Sequence, residues 1–318
     1  MASDDQDNEI VTDLYPHIRV YKNGHVERFY HLHNLFYVPP SDQDPNTGVS
    51  SKDITISSHV SARLYLPKNT TSSDQEKLPI IVFYHGGGLI LNSAFFNIFH
   101  RFLNLLVSES NSIAVSVEYR LAPEHDVTTV YEDSWTALQW VASGKDSWLT
   151  NYGDFNKIFI VGESGGANIV FNMVMRAGRE KLNGDVKICG SILACPYFLI
   201  PHENVDVKDL MAYKLWTNVI CPKIEPLDCP MINPLCKTAP SLSGLGCSKL
   251  FVCLGEKDEL APGEIAMIFV EGVKKSGWNG EFVFFMVEGE GHSFFIFDPE
   301  TKKARDLIKR FANFIQGK

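Results

Sequence analysis

KIFIVGESGGANIVFNMVMRA, residues 157–177, joins an apolar, β-rich run to a stretch with helical spacing through a turn of small residues. The run up to Gly162 is continuous in β-branched and aromatic side chains, as a strand buried on both faces requires. From Ser164 to Ala177 the apolar residues recur three and four apart, the period of an amphipathic helix. Between them stands Gly162-Glu163-Ser164-Gly165-Gly166, a GxSxG element. A serine on such a strand-to-helix turn occupies a strained backbone conformation, and bulk at Gly162 or Gly166 would strike the neighbouring strand or helix. The helix that follows aims free N–H groups and the positive end of its dipole at developing negative charge. Strand before and helix after, more than the five-residue pattern, make Ser164 a candidate nucleophile.

The same alternation recurs along the chain. Val60 to Leu66, PIIVFY before His85, SIAVSVEY before Arg120, KICGSILA before Cys195, KLFVCLG before Glu256 and EFVFFMVE before Gly289 read as strands. Helical periodicity fits about Tyr131 to Ala142, Pro262 to Lys275 and Thr301 to Ile315. Strands alternating with helices predict an α/β protein: a mostly parallel, doubly wound sheet in a single domain over residues 1–318. Two stretches break the rhythm, about 1–45 and 200–233. Ligands bind outside the carboxyl ends of the strands in such a sheet, so both are expected to act as a cap over a substrate site. Leu89, Trp216 and Phe295 are expected to shape that pocket.

Composition narrows the function. With 318 residues, 45% hydrophobic and 21% charged, the chain can bury a large core. A net charge of −9 and the lack of a long Lys/Arg run argue against nucleic acid as a partner. The acidic start, MASDDQDNEIVTDLYP, has neither the basic nor the apolar region of a secretory signal, and no run of about 18 apolar residues occurs. A soluble, cytoplasmic protein without a membrane partner is expected. Seven cysteines, an odd number without CxxC spacing, fit a reducing compartment, and the sequon at Asn69 then carries no weight. Histidines and cysteines show no metal-ligand spacing, and GESGGAN lacks both the GK[ST] ending and the GxGxxG spacing of nucleotide loops. Neither a metal nor a cofactor is expected.

A serine hydroxyl needs a base, and the base needs an acid to fix its tautomer. Of ten histidines only His202 and His292 follow Ser164. His202 falls in the expected cap, whereas His292 follows the strand EFVFFMVE and is placed to reach the turn. Asp258, after KLFVCLG in GEKDEL, is the candidate acid, with Glu256 and Glu259 as competitors. A tetrahedral intermediate also needs N–H donors for its oxyanion. His85-Gly86-Gly87-Gly88, directly after PIIVFY, offers those of Gly86 and Gly87, joined by Gly165 after the nucleophile, while His85 braces the loop.

HGGG at 85–88, YRLAPEH at 119–125, GESGGAN at 162–168, KDEL at 257–260 and EGHSF at 290–294 together resemble the plant carboxylesterases of the hormone-sensitive-lipase-like group, which includes the 2-hydroxyisoflavanone-dehydratase-like proteins. The resemblance covers essentially the whole chain and implies an α/β-hydrolase fold, no cofactor, and a monomer or loose homodimer. GVSSKDITIS, VSARLYLPK, YEDSWTALQWVAS, GREKLNG and KKSGWNGE look like the branch with the monoterpene indole alkaloid cyclases. Those cyclases carry HGAG and lack the triad histidine, and the dehydratases typically carry threonine at the position of Ser164. This chain keeps HGGG, Ser164 and His292. The resemblance therefore implies a serine carboxylesterase, acting on the methyl ester of an indole alkaloid, with decarboxylation to a norfluorocurarine-type product. Its competitors are a lyase, cyclase or dehydratase using His292 for proton transfer, and a hormone receptor of the gibberellin-receptor type, a class that has lost the triad histidine.

Overall fold

A computed structural model describes residues 9–68 and 76–318, so the first eight residues and the sequon at Asn69 lie outside the described part. The described residues begin with three short strands, β1 (Ile10–Leu14), β2 (Ile18–Tyr21) and β3 (Val26–Arg28), paired antiparallel in a small sheet of their own. The body is an eight-stranded sheet of β4 (Ser50–Thr55), β5 (Ser61–Leu66), β6 (Leu78–Tyr84), β7 (Ile113–Glu118), β8 (Gly153–Glu163), β9 (Ile188–Ala194), β10 (Cys247–Gly255) and β11 (Glu281–Val287). Its spatial order is β11-β10-β9-β8-β6-β7-β5-β4, and only the β4–β5 and β5–β7 pairings are antiparallel. Eight helices accompany it among the described residues: α1 (Asn97–Ser110), α2 (Val127–Ala142), α3 (Ser147–Tyr152), α4 (Gly165–Ala177), α5 (Met211–Leu215), α6 (Gly263–Lys275), α7 (Phe294–Phe297) and α8 (Lys302–Gln316).

Alternation along the strands feeds two cores, one per face. In β6, Ile80, Val82 and Tyr84 join the core under α2, α4 and α6, while Ile81 and Phe83 join the core under α1 and α8. β10 divides likewise, Leu250 and Val252 to one side, Phe251 and Cys253 to the other. This is why the central strands read as unbroken apolar runs: neither face meets water. Helix α1 fills the second face with Phe99, Phe102, Leu103 and Leu106, which recur three and four apart as an amphipathic helix requires.

The predicted strands and helices thus appear within a few residues of their expected ends, and the chain has the expected α/β-hydrolase architecture. The sequence reading passes over α1, the short helices α3, α5 and α7, β4 and the N-terminal sheet. Strands β1–β3 are three to five residues long and mostly half-exposed, too short for a period to register. Among the described residues no helix is long and apolar enough to cross a membrane.

Candidate active site

Ser164 stands between β8 and α4 at φ 53° and ψ −119°. A non-glycine residue held at positive φ costs about 1–3 kcal/mol, which the surroundings must over-determine. They do: its N–H donates to the Ala194 carbonyl at 2.9 Å, and its carbonyl accepts from the N–H groups of Asn168 and Tyr197, both at 3.2 Å. The glycines give the turn room. A Cβ on Gly162 would come 2.3 Å from the Gly166 carbonyl oxygen, and one on Gly166 would come 2.0 Å from that of Tyr84. Strand and helix therefore approach as closely as the GxSxG pattern requires.

The loop after β11 brings His292 to this serine. Ser164 Oγ and His292 Nε2 lie 2.9 Å apart, and His292 Nδ1 lies 2.9 and 2.8 Å from the two carboxylate oxygens of Asp258. A carboxylate can only accept here, so Nδ1 carries the proton and Nε2 accepts from the serine hydroxyl. Asp258 is buried, and its Oδ1 also accepts from the N–H groups of Leu260 (3.0 Å) and Ala261 (2.8 Å), which fix the carboxylate. Burial works against charge on His292, but the hydrogen bond and charge of Asp258, with Glu163 behind, outweigh it and hold the imidazole pKa above its ordinary value.

The other candidates are elsewhere. Glu256 and Glu259 are exposed, and Glu256 accepts from the N–H of Gly289 at 2.8 Å. His202 turns back on its own loop, its Nδ1 accepting from the N–H of Asn204 at 3.1 Å. Glu163, which the sequence reading passes over, is buried beside Ser164 and His292 and accepts from the hydroxyl of Ser293, tying the serine turn to the histidine loop. Burial raises its pKa, opposed by the charge of His292, the Ser293 hydroxyl and the N–H of Gly86. An acidic residue at the variable position of GxSxG is the one signal that could have flagged it.

The glycine loop after β6 lies against the serine turn: a Cβ on Gly165 would sit 3.0 and 3.1 Å from the backbone nitrogens of Leu89 and Gly88. Gly87 (φ 100°) and Gly88 (φ 61°) face the cavity, a conformation that favours glycine. Gly86 is set differently from the expectation. Its N–H faces the Glu163 carboxylate, and its Cα packs on that group, where a Cβ would come 2.0 Å from Oε1. Gly88 takes the place on the wall expected for Gly86. His85 lies behind the loop, its Nδ1–H donating to the Gly86 carbonyl at 2.8 Å and its ring stacked on Tyr119 at 4.3 Å. Burial lowers its pKa to about 4, so it braces the loop as a neutral ring.

A cavity of about 250 Å³ opens over Ser164. Both irregular stretches contribute to its walls, the N-terminal one through His17, His33 and Leu35 and the insertion through Met211, Ala212 and Leu215. The pocket-shaping residues are corrected, each to a near neighbour. Leu89, Trp216 and Phe295 are buried in the cores, whereas Ile90, Leu215 and Phe297 reach the cavity. Cys195, Asp258 and His292 offer metal-type ligand atoms within 4.8 Å of one another. Both imidazole nitrogens are already engaged, however, and burial pushes the Cys195 thiol well up, so the set supplies neither a free imidazole lone pair nor a thiolate.

Fold and site together define a class, and comparison with known proteins agrees. The profile of the alpha/beta hydrolase fold family matches residues 81–296, and the chain belongs to that family. It is 45% identical to catharanthine synthase of Catharanthus roseus, covering 99% of this chain and 98% of that protein. It is 41% identical to probable carboxylesterase 13 of Arabidopsis thaliana, covering 98% and 99%. Among solved structures, an esterase of Pyrobaculum calidifontis superposes with a TM-score of 0.68 at 26% identity, covering 86% of each chain. Within the family, then, this is an esterase-like hydrolase of the plant group that holds carboxylesterases, 2-hydroxyisoflavanone dehydratases and alkaloid synthases.

Proposed function

We propose that the protein is a serine carboxylesterase with Ser164 as nucleophile, His292 as general base and Asp258 as the acid that orients it. The observation that carries this reading is the unbroken hydrogen-bond chain from Ser164 Oγ through His292 to Asp258, at 2.9 and 2.8 Å. Ser164 Oγ attacks the ester carbonyl carbon while its proton passes to His292 Nε2, and the carbonyl oxygen takes the negative charge. The N–H groups of Gly87, Gly88 and Gly165 receive that charge, and such preorganised donors are commonly the largest single contribution in acyl transfer. Collapse of the intermediate expels the alcohol, which takes the proton from His292. Water, deprotonated by the same imidazole, then releases the acid and restores Ser164.

The walls favour a largely apolar ester without negative charge, because the cavity lining holds no Lys or Arg to pair with an anionic substrate. Similarity to catharanthine synthase supports an alkaloid, and the methyl ester of a monoterpene indole alkaloid is the substrate proposed, its acid product losing carbon dioxide. Action in the cytoplasm as a monomer or loose homodimer belongs to the same reading. That similarity also favours a second reading, in which the cavity serves a lyase, cyclase or dehydratase with His292 moving a proton and Ser164 dispensable. The deciding experiment compares wild type and Ser164→Ala on p-nitrophenyl acetate, then on a panel of methyl-ester indole alkaloids followed by mass spectrometry. Loss of nearly all turnover in Ser164→Ala upholds the esterase; retained conversion of an alkaloid replaces it with the proton-transfer reading.

A further inference from the structure

Besides Ser164 and His292, the ionisable side chains on the cavity wall are Glu163 and Tyr197, which belong to the floor, and two histidines from the N-terminal segment. His17, just ahead of β2, and His33, at the end of the 3-10 turn Tyr30–His33, both line it from the N-terminal segment. Their rings are parallel to within 1°, with centroids 5.9 Å apart. Nε2 of His33 is shut off from solvent and has no hydrogen-bond partner among the described residues. A buried polar atom without a partner carries a cost that a suitable ligand group would recover. The ring can turn to meet such a group, because the χ2 torsion of histidine is soft.

We infer that His17 and His33 form a subsite for a hydroxyl group carried by the part of the substrate remote from the scissile ester. A neutral imidazole has one donor and one acceptor nitrogen, and a hydroxyl can donate to one ring and accept from the other. The ring nitrogens bond in the planes of their rings, so one hydroxyl reaches both of these parallel rings once one of them turns about χ2. Burial, and then the charge of His33, push the His17 pKa below its ordinary value, which keeps that ring neutral. A carboxylate is the wrong partner for this wall, which has no Lys or Arg, and an ammonium could only donate. A site built to hydrogen-bond a substrate hydroxyl discriminates strongly against the analogue without it, since its polar atoms are then left unpaired.

The inference rests on the esterase reading for the word ester, so its test is made by binding. Methyl butanoate, hexanoate, octanoate and decanoate, each with and without a terminal hydroxyl, are titrated calorimetrically into Ser164→Ala. The readout is the affinity ratio of hydroxylated to plain ester at each length. At the length that reaches the histidines, adding His33→Phe or His17→Phe is expected to lower the ratio about tenfold, and His33→Gln, which keeps a donor and an acceptor, to hold it within about threefold of the parent. Because each ratio is taken within one protein, the fraction of folded chain cancels, and His17→Phe carries the test if His33→Phe does not fold. A ratio equal in parent and Phe variants at every length overturns the subsite, as does failure of the parent to bind either series. Turnover of the same esters by the Ser164 protein is scored separately: no hydrolysis with a His33-dependent ratio removes the esterase reading and leaves the subsite, and hydrolysis with an indifferent ratio does the reverse.

Discussion

Beneath the cavity, Ser164, Asp258 and His292 stand at the C-terminal ends of β8, β10 and β11, and backbone touches backbone there. A Cβ on Gly255 would come 2.3 Å from the Glu290 carbonyl oxygen, as one on Gly166 would meet Tyr84. Above the cavity, residues 17–35 and 211–215 close it largely with side chains, of which Leu35 and Met211 are half-buried. The floor is held by clearances that leave no space for a methyl group, the roof by contacts that could be remade. Close-packed backbone fixes reacting atoms to fractions of an ångström, whereas a side-chain roof can change its occupants without disturbing them. On the proposed function, chemistry and selectivity are thereby assigned to different physical materials.

Substitutions in the floor should break activity outright. Ser164→Ala is expected to lower kcat for ester hydrolysis by about 10⁴-fold or more, and Asp258→Asn by about 10⁴-fold, because the imidazole is then held in the wrong tautomer. Glu256→Gln, one strand end away and exposed, should change kcat less than about twofold. Steady-state kinetics on p-nitrophenyl acetate measure all three, and a large loss in Glu256→Gln would reassign the acid. Gly87→Ala comes next. Its φ of 100° strains an L side chain, and the new Cβ would lie 2.5 Å from the Leu91 carbonyl oxygen. The loop must shift, at an expected cost of about 10²- to 10³-fold in kcat.

The pH profile tests the floor without mutation. On the proposed mechanism the base acts only when neutral, and Asp258 with Glu163 outweighs burial to raise the His292 pKa. The acid limb of kcat/KM should therefore fall tenfold per pH unit below an inflection that lies above the ordinary histidine value of about 6.5. Stability runs the other way. A raised native pKa means that the protonated ring stabilises the fold, fully so below the unfolded value, and that this contribution is lost as pH rises through the native pKa. An inflection below that of free imidazole would show that burial, and not Asp258, governs the site.

This division also explains what could be read in advance. Ser164 and His292 stand out because a strained turn and a strand-end histidine leave few alternatives. GEKDEL holds three acids, and only folding reveals that Asp258 is buried on the N–H groups of Leu260 and Ala261 while Glu256 is spent on Gly289. Three consecutive glycines at 86–88 are identical as letters, and the positive φ values of Gly87 and Gly88 decide which of them face the cavity. In the roof, one residue of error turns a helical side chain by about 100°, enough to exchange Trp216 in the core for Leu215 on the wall. His17 and His33 belong to no motif, since nothing local but the folding of a half-exposed sheet brings their rings together.

A smaller loss than those in the floor is expected at the seam between roof and floor. Arg28, in β3, donates from Nε to the Ile90 carbonyl at 2.5 Å and from Nη2 to that of Ala122 at 3.0 Å, and it grips Glu124 with both terminal nitrogens at 2.7 and 2.6 Å. Ile90 lies on the cavity wall, so this one side chain pins the N-terminal sheet to the loop that continues from Gly87 and Gly88. Arg28→Ala leaves the Ile90 and Ala122 carbonyls without that donor, a cost of about 1–3 kcal/mol that falls on closure of the roof. KM should rise about three- to tenfold while kcat stays within about twofold, since ground and transition state lose the same enclosure. Glu124→Gln should do less, because Glu124 is half-exposed and its ion pair is weakened by water. If kcat falls instead and KM holds, Arg28 acts through the glycine loop on the oxyanion donors, and the seam belongs to the floor.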